Sequence, residues 1–341
     1  MCINITRFYK RARKELDCEI ITPMFLGNAN QEAELRAAPF KGMLRYWWRV
    51  AEGYKYATDK DLLKTENTIF GSADENTNCK SQVKIWVEPI TSLQPKKDQF
   101  KNQGDVIDHP ECEKSCKINP LNYLAGMGLI HYKQGVLHSY FPVGEKFKLQ
   151  LEAPEQILEQ LKSTLAIVNK FGAIGSRSRN GWGCFQWPAS QSNVEINYKK
   201  FQDAFDRDYP HCLAKDEKGL LLWKTKKLHK TWEMCMRELA EIYVAVRTKL
   251  NVTKGSPPDR HLLGYPVTNH PVQHWDKNDR HRHASALRLI VRKENEQYRG
   301  YFLHLPHLFS QQMWPNDKTR QIEIWQKVHA TLDHYCDRAN F

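Results

Sequence analysis

Residues 16–51 read LDCEIITPMFLGNANQEAELRAAPFKGMLRYWWRVA. Leu16 to Phe25 is rich in apolar and β-branched residues and is cut off by Pro23 and Gly27, which predicts a strand. A polar loop follows, and Pro39 then stands where a first helical residue belongs. From there Phe40, Met43, Leu44, Trp47, Val50 and Ala51 recur at the i, i+3, i+4, i+7 spacing of an amphipathic helix. Lys41, Arg45, Trp48 and Arg49 fall on a different face of it.

Outward from this pair the pattern continues. Ser81 to Ile90, SQVKIWVEPI, alternates Val83, Ile85 and Val87 with polar neighbours, the period of a half-buried strand. Thr91 to about Ser139 is polar and irregular and too long for a simple connection, so it reads as an insertion carrying only short elements. Lys146 to Leu151 alternates again, and after Pro154 the residues Ile157, Leu158, Leu161, Leu165 and Val168 return to helical spacing. A glycine-rich loop, Gly172 to Gly183, leads to a short aromatic strand at Cys184 to Trp187. Strand, helix, strand, insertion, strand, helix, strand approximates a ferredoxin-like (RRM-like) unit, so the fold class is α+β. The polar stretch Ala189 to Asn197 predicts a boundary, with a first domain over 1–190, its insertion at about 91–139, and a second domain over 191–341. In the second half a strand at Leu220 to Trp223, a helix at Trp232 to Val246, paired strands at Ser285 to Arg292 and Tyr298 to Leu305, and a helix at Ile322 to Tyr335 predict a second, degenerate ferredoxin-like unit.

Composition sets the class of partner. Of 341 residues 41% are hydrophobic and spread along the whole chain, so cores are available and global disorder is excluded. The longest apolar stretch, Leu124 to Ile130, is far short of the ~20 residues a membrane helix requires. No apolar segment follows the N-terminal Arg7, Lys10, Arg11, Arg13 and Lys14, so a secretory signal is not expected; the protein is expected to be cytoplasmic, with no membrane partner. Nine irregularly spaced cysteines predict reduced thiols rather than a disulfide framework. Lys and Arg number 51 against 39 Asp and Glu, a net charge of +12. The excess is clustered at residues 7–14, 36–49 and 170–183, windows without an acid, which points to a polyanion and foremost to nucleic acid. Solubilising surface charge is the bland alternative.

Two of these windows suggest how a polyanion is held. On the Pro39 to Arg49 helix, Lys41, Arg45 and Arg49 stand about one turn apart, a spacing that can follow successive phosphates, and Trp48 is placed to stack on a base. In FGAIGSRSRNGWGCF, Phe171 to Phe185, the glycines Gly172, Gly175, Gly181 and Gly183 allow close backbone approach to a phosphodiester chain, with exposed amides as donors. Arg177, Arg179 and Asn180 lie between them and supply charge and polarity. The spacing is neither a Rossmann fingerprint nor a P-loop.

The combination of ITPMFLGNANQEAELRAAPFKGMLRYWWRV, IFGS at Ile69 to Ser72 and GAIGSRSRNGWGCF resembles the RAMP superfamily of CRISPR effector proteins. More closely it resembles subunit one of the type III-B (Cmr) RNA-guided complex. LLGYPV at Leu262 to Val267, RHASALRLIV at Arg282 to Val291 and YRGYFLHLP at Tyr298 to Pro306 match the second half of the same family. The resemblance implies two ferredoxin-like domains, binding of the guide RNA near its 3′ end and of the paired target RNA, and assembly with other Cmr subunits. It also implies that the helix at Pro39 to Arg49 and the loop at Gly172 to Gly183 border the RNA groove. The insertion has no match.

Asp279, Arg280, His281, Arg282 and His283 group histidine with arginine and a carboxylate. Such a group suits a general base with phosphate stabilisers, as in a metal-independent RAMP endoribonuclease that cuts guide precursors. Spacing assigns no acid and base pair, so Arg282 and His283 are read as an RNA-contacting strand end. His109, Cys112 and Cys116 form H-x₂-C-x₃-C, which Cys79, His131 or His138 could complete as a zinc site; with no second cysteine pair, metal-free loop cysteines are favoured. The expectation is a non-catalytic RNA-binding subunit without cofactor. Its rivals are the endoribonuclease and a basic scaffold that contacts only protein.

Overall fold

The computed structural model describes residues 10–74, 78–100, 105–111, 117–126, 128–131, 133–188, 194, 196–252, 257–267, 270–272, 275, 282–315 and 317–340. Arg7, Cys112, Cys116, Asp279, Arg280 and His281 lie outside them. The first half builds β1 (Arg11–Ile20), α1 (Ala37–Glu52), α2 (Asp59–Phe70), β2 (Lys84–Pro89), β3 (Lys146–Pro154), α3 (Lys162–Phe171) and β4 (Phe185–Gln186). Its sheet runs β2–β3–β1–β4, every pair antiparallel.

Period-two alternation explains β1. Leu16, Cys18 and Ile20 are buried, while Arg13, Glu15 and Asp17 point away and face Glu152, Gln150 and Lys148 of β3. Arg11 and Lys84 reach Glu152 at 2.9 and 3.2 Å, and Lys148 reaches Glu15 at 3.1 Å. The strand expected over Leu16 to Phe25 is therefore displaced toward the N-terminus, because the charged run at 11–15 pairs across the ladder instead of forming a free basic cluster.

Helix α1 buries Phe40, Met43, Leu44, Trp47, Val50 and Ala51, with the Phe40 ring 5.3 Å from Phe147 of β3 and 5.9 Å from Phe185 of β4. Full burial of one such side chain contributes about 1.5–3 kcal/mol. Helix α2 escapes the sequence reading, although Thr58 announces it: its side chain accepts from the Asp61 amide, an N-cap. The single helix expected over 157–168 is broken at Leu161 into Glu155–Gln160 and α3.

The second half builds β5 (Leu222–Thr225), α4 (Trp232–Thr248), β6 (Leu287–Glu294), β7 (Gln297–His304), α5 (Lys318–Tyr335) and β8 (Cys336–Arg338), after a small three-stranded sheet at residues 198–220. Its main sheet runs β6–β7–β5–β8, again antiparallel throughout. The order of strands along the chain and across the sheet thus repeats that of the first half. Among the described residues the second set has no helix matching α2, as suits the degenerate copy that the sequence predicted.

The two sheets meet edge to edge. The Leu289 amide donates to the Arg179 carbonyl at 2.8 Å, the Val291 amide to Cys184 Sγ at 3.4 Å and the Lys293 amide to the Gln186 side chain at 3.0 Å. Each sheet therefore covers an edge of the other. Buried Arg292 donates to the carbonyls of Asn169 (3.0 Å) and Gly172 (2.8 Å), placing a cation at the negative end of α3. The insertion carries only two-residue ladders and a helix at Pro120–Ala125, and it docks on α4: Arg237 pairs with Asp105 at 2.5 Å and Tyr123 meets Tyr243 at 6.3 Å. No helix among the described residues is long and apolar enough to cross a membrane.

Candidate nucleic-acid interface

The glycine-rich loop is built for close packing. Gly175 has φ +92° and a Cβ there would lie 2.4 Å from the Phe25 carbonyl; Gly183 has φ +67° and its Cβ would lie 1.9 Å from the Ile174 carbonyl. Four of the amides expected to be open donors are committed internally. Ile174 donates to Gly183, Ser176 to Phe25, Asn180 to Arg177 and Gly183 to Pro23, all at 2.8–3.0 Å. Gly172 and Gly181 likewise face Val168 and Met236 at distances that admit no Cβ. The glycines let the loop close on residues 22–26.

What the loop presents is its tip. Arg177 is exposed and has φ +57°. Arg179 is half-buried at the junction, where burial and the neighbouring Arg288 guanidinium lower its pKa while the Tyr46 hydroxyl supports its charge. Arg288, the second residue of β6 and buried, donates to the same Tyr46 hydroxyl at 3.3 Å and lies over the rings of Tyr46 and Trp47 at 4.6 and 5.0 Å. Among the described residues no carboxylate is within ion-pair distance of Arg177, Arg179 or Arg288. His283 stacks on Phe309 with centroids 3.8 Å apart and lies 5.6 Å from the His307 ring. Burial, with the charges of His307 and Arg179, pushes His283 down to about 3, and burial pushes His307 down to about 4. Both imidazoles are neutral at pH 7. Arg282 is exposed beside them.

The cationic face expected on α1 does not join this cluster. Arg45 binds buried Glu66, the Asn67 side chain (2.6 Å) and the Gly71 carbonyl (3.3 Å), and Arg49 reaches Glu66 at 3.2 Å. Both are therefore internal counter-charges to α2 rather than phosphate ligands. Trp48 is 1% exposed, packed against Tyr56 and Phe70, and has no face left for a base. Lys41 sits at the opposite margin, in a groove beside β2. Asn180 positions the loop by donating to the Leu124 carbonyl at 2.9 Å.

The zinc candidates do not converge among the described residues. Cys79 donates to the Asn67 carbonyl, His131 accepts from the Lys133 and Gln134 amides, and His138 contacts the Gly128 carbonyl. His109 packs on Tyr123, and no group of three potential ligands occurs among the described residues. The sequence reading missed Tyr46, Arg288 and His307. Arg288 had a signal in hindsight: an arginine between Leu287 and Leu289 in an apolar strand needs a partner.

Residues 17–186 match the RAMP superfamily (RAMPs). Over 188 residues the chain is 30% identical to CRISPR system Cmr subunit Cmr1-1 of Pyrococcus furiosus, covering 53% of this chain and 49% of that protein. Over 185 residues it is 26% identical to Cmr subunit Cmr1-2 of the same organism, covering 49% of this chain and 90% of that one. The match thus spans about half the length of the first of these relatives. The fold is like that of apo Cmr1 from Pyrococcus furiosus, with a TM-score of 0.53 at 21% identity, over 86% of this chain and 88% of that one. The matched span runs from β1 through α1 and the glycine-rich loop to β4, and on that evidence the chain belongs to the RAMP superfamily.

Proposed function

We propose that the chain is an RNA-binding, non-catalytic subunit of a type III-B CRISPR (Cmr) ribonucleoprotein. Its two halves are read as ferredoxin-like domains, 1–190 and 191–341, whose junction holds the 3′ region of the guide RNA and the paired target. The observation that carries this is the Arg179 and Arg288 pair, two guanidinium groups on one hydroxyl with no described carboxylate nearby. Like charges so placed repel until an anion completes them, and the guanidinium fork matches phosphate oxygens. Arg177 and Arg282 extend the same charge into solvent. The outer sheet face, the platform on which an RRM stacks bases, carries paired charges at Arg13, Glu152 and Lys84, which favours the junction instead.

One observation favours the endoribonuclease reading: two imidazoles beside an arginine. Acid–base cleavage at neutral pH requires one of them charged as the acid, and burial keeps both His283 and His307 neutral. Purified protein should therefore leave guide precursors and target RNA intact; specific cleavage that His283→Ala abolishes would put the endoribonuclease first. Assembly is tested by isolating the chain from its native host. Other Cmr subunits and guide RNA should accompany it, with crosslinks from the Gly172 to Gly183 loop in the 3′ part of the guide. Crosslinks on the guide's 5′ tag would defeat the placement, and recovery of protein partners without RNA would favour the scaffold.

A further inference from the structure

Strand β2 is the free edge of the first sheet, bounded on one side by β3 and on the other by no described strand. The Ile90 amide donates to the Lys146 carbonyl at 2.9 Å, which sets the phase of the ladder: even-numbered residues turn their amide and carbonyl toward β3, odd-numbered residues turn theirs outward. The outward amide of Val83 is met by the Ile69 carbonyl at 3.3 Å, and Pro89 has no amide. The amides and carbonyls of Ile85 and Val87 remain facing outward, and no described residue bonds to them. Under this edge α1 begins with Ala37 and Ala38, too small to cover it, and leaves a groove of 390 Å³ lined also by Val83, Ile85 and Trp86. Lys41 and Lys84 border the groove. Lys84 is matched by Glu152; Lys41 has no described carboxylate within ion-pair distance, and burial and the charge of Arg45 lower its pKa. The Trp86 ring, 37% exposed, meets the Arg13 guanidinium at 5.5 Å.

We infer that this edge takes an extended segment of a partner polypeptide as a fifth strand, with an apolar side chain in the groove and an acidic one on Lys41. A strand edge offers alternating donors and acceptors, a pattern that only another peptide backbone matches. RNA fits poorly: half of the edge groups are acceptors that repel phosphate, the groove floor is apolar, and the adjoining sheet face carries no excess of positive charge, with Glu15, Asp17, Glu19, Glu88 and Glu152 set against Arg11, Arg13, Lys84, Lys146 and Lys148. Same-face residues on a strand are two apart, so the incoming segment carries its apolar and acidic residues at i and i+2.

The inference rests on the reading of the chain as a subunit of a larger assembly. The test is amide exchange of the full chain, free and after reconstitution with guide RNA and the other Cmr subunits of its host. Protection at Ile85 and Val87 should rise about tenfold or more on assembly, while the β3-facing amides of Trp86 and Glu88 change little. Val87→Pro removes an outward amide and no ladder bond, so it should fold normally yet weaken assembly about tenfold, and Lys41→Glu should do the same. Failure to assemble at all defeats the subunit reading and this inference together. Assembly without new protection at Ile85 and Val87 defeats this inference alone. So does protection produced by RNA without protein, or by self-association of the free chain.

Discussion

Replacing Arg179 and Arg288 by Gln, singly and together, tests the junction most directly. Both guanidinium groups address one point, the Tyr46 hydroxyl, so they are placed to share a single phosphate. Losing one neutralised phosphate flattens the salt dependence of single-stranded RNA binding by about 0.7 log unit per log unit of salt. Sharing predicts non-additivity: each single variant leaves the phosphate neutralised by the other guanidinium and should change the slope little, while the double variant loses about 0.7; independent phosphates would make each single variant lose about 0.7 and the double about 1.4. Between about 50 and 500 mM salt that is the difference between a fivefold and a 25-fold change in the affinity ratio. Fluorescence anisotropy with a labelled RNA across that range resolves it. Thermal midpoints give an independent reading, since Arg179→Gln relieves a repulsion and should not destabilise, while Arg288→Gln also loses its ring contacts, worth about 0.5–2 kcal/mol. An unchanged slope in the double variant would refute the site, as would equal flattening by Arg45→Gln.

Other outcomes follow from the same geometry. Arg45→Gln should leave the salt slope alone and cost about 3 kcal/mol in urea unfolding, because Glu66 stays buried with only Arg49 beside it. Gly183→Ala should abolish soluble expression, its Cβ meeting the Ile174 carbonyl, whereas Gly42→Ala, with nothing within 4 Å of the added carbon, should stabilise α1 by up to about 1 kcal/mol; equal effects would mean that the loop is not held as described. Burial holds His283, His307 and His329 near 3, 4 and 3, below the ordinary 6.5. The unfolded chain therefore binds protons that the native state refuses: stability is full above about pH 6.5 and falls toward pH 4, by up to about 1.4 kcal/mol per pH unit for each histidine. Urea midpoints at pH 7.5, 6 and 5 should decline in that order, and a flat series would show that these rings are not buried neutral.

Period carried most of the fold into the sequence. Val83, Ile85 and Val87 announced β2, Phe40 to Ala51 announced α1, and strand, helix and loop followed in the observed order because each element had an apolar face to bury. Period was silent where charge was paired internally. The run at Arg11 to Glu15 read as a free basic cluster since its acids lie 130 or more residues away on β3. Arg45 and Arg49 likewise looked like phosphate ligands because Glu66, their partner, belongs to a helix that the reading missed. Charge along one segment states what is available; only tertiary neighbours state what is left over. By that criterion Arg179 and Arg288 remain and Arg45 does not.

The insertion, which the sequence left without a role, explains how the loop tip keeps its shape. Arg177 occupies a left-handed conformation that costs a non-glycine residue about 1–2 kcal/mol. Three contacts surround it: the Asn180 amide on its carbonyl at 2.8 Å, the Asn180 side chain on Leu124 at 2.9 Å, and Gly126, where any Cβ would fall 2.6 Å from the Arg177 guanidinium. Leu124 and Gly126 belong to the insertion, which is itself fastened to the second half by Arg237 on Asp105 and by buried Arg260 on Glu111. The two halves, the insertion and the loop therefore brace one another around the arginines. Removing the clamp, as by Arg260→Gln with Arg237→Gln, should loosen the tip and weaken RNA binding without flattening its salt slope, because no phosphate ligand is lost. A flattened slope would instead make Arg237 or Arg260 a direct RNA contact.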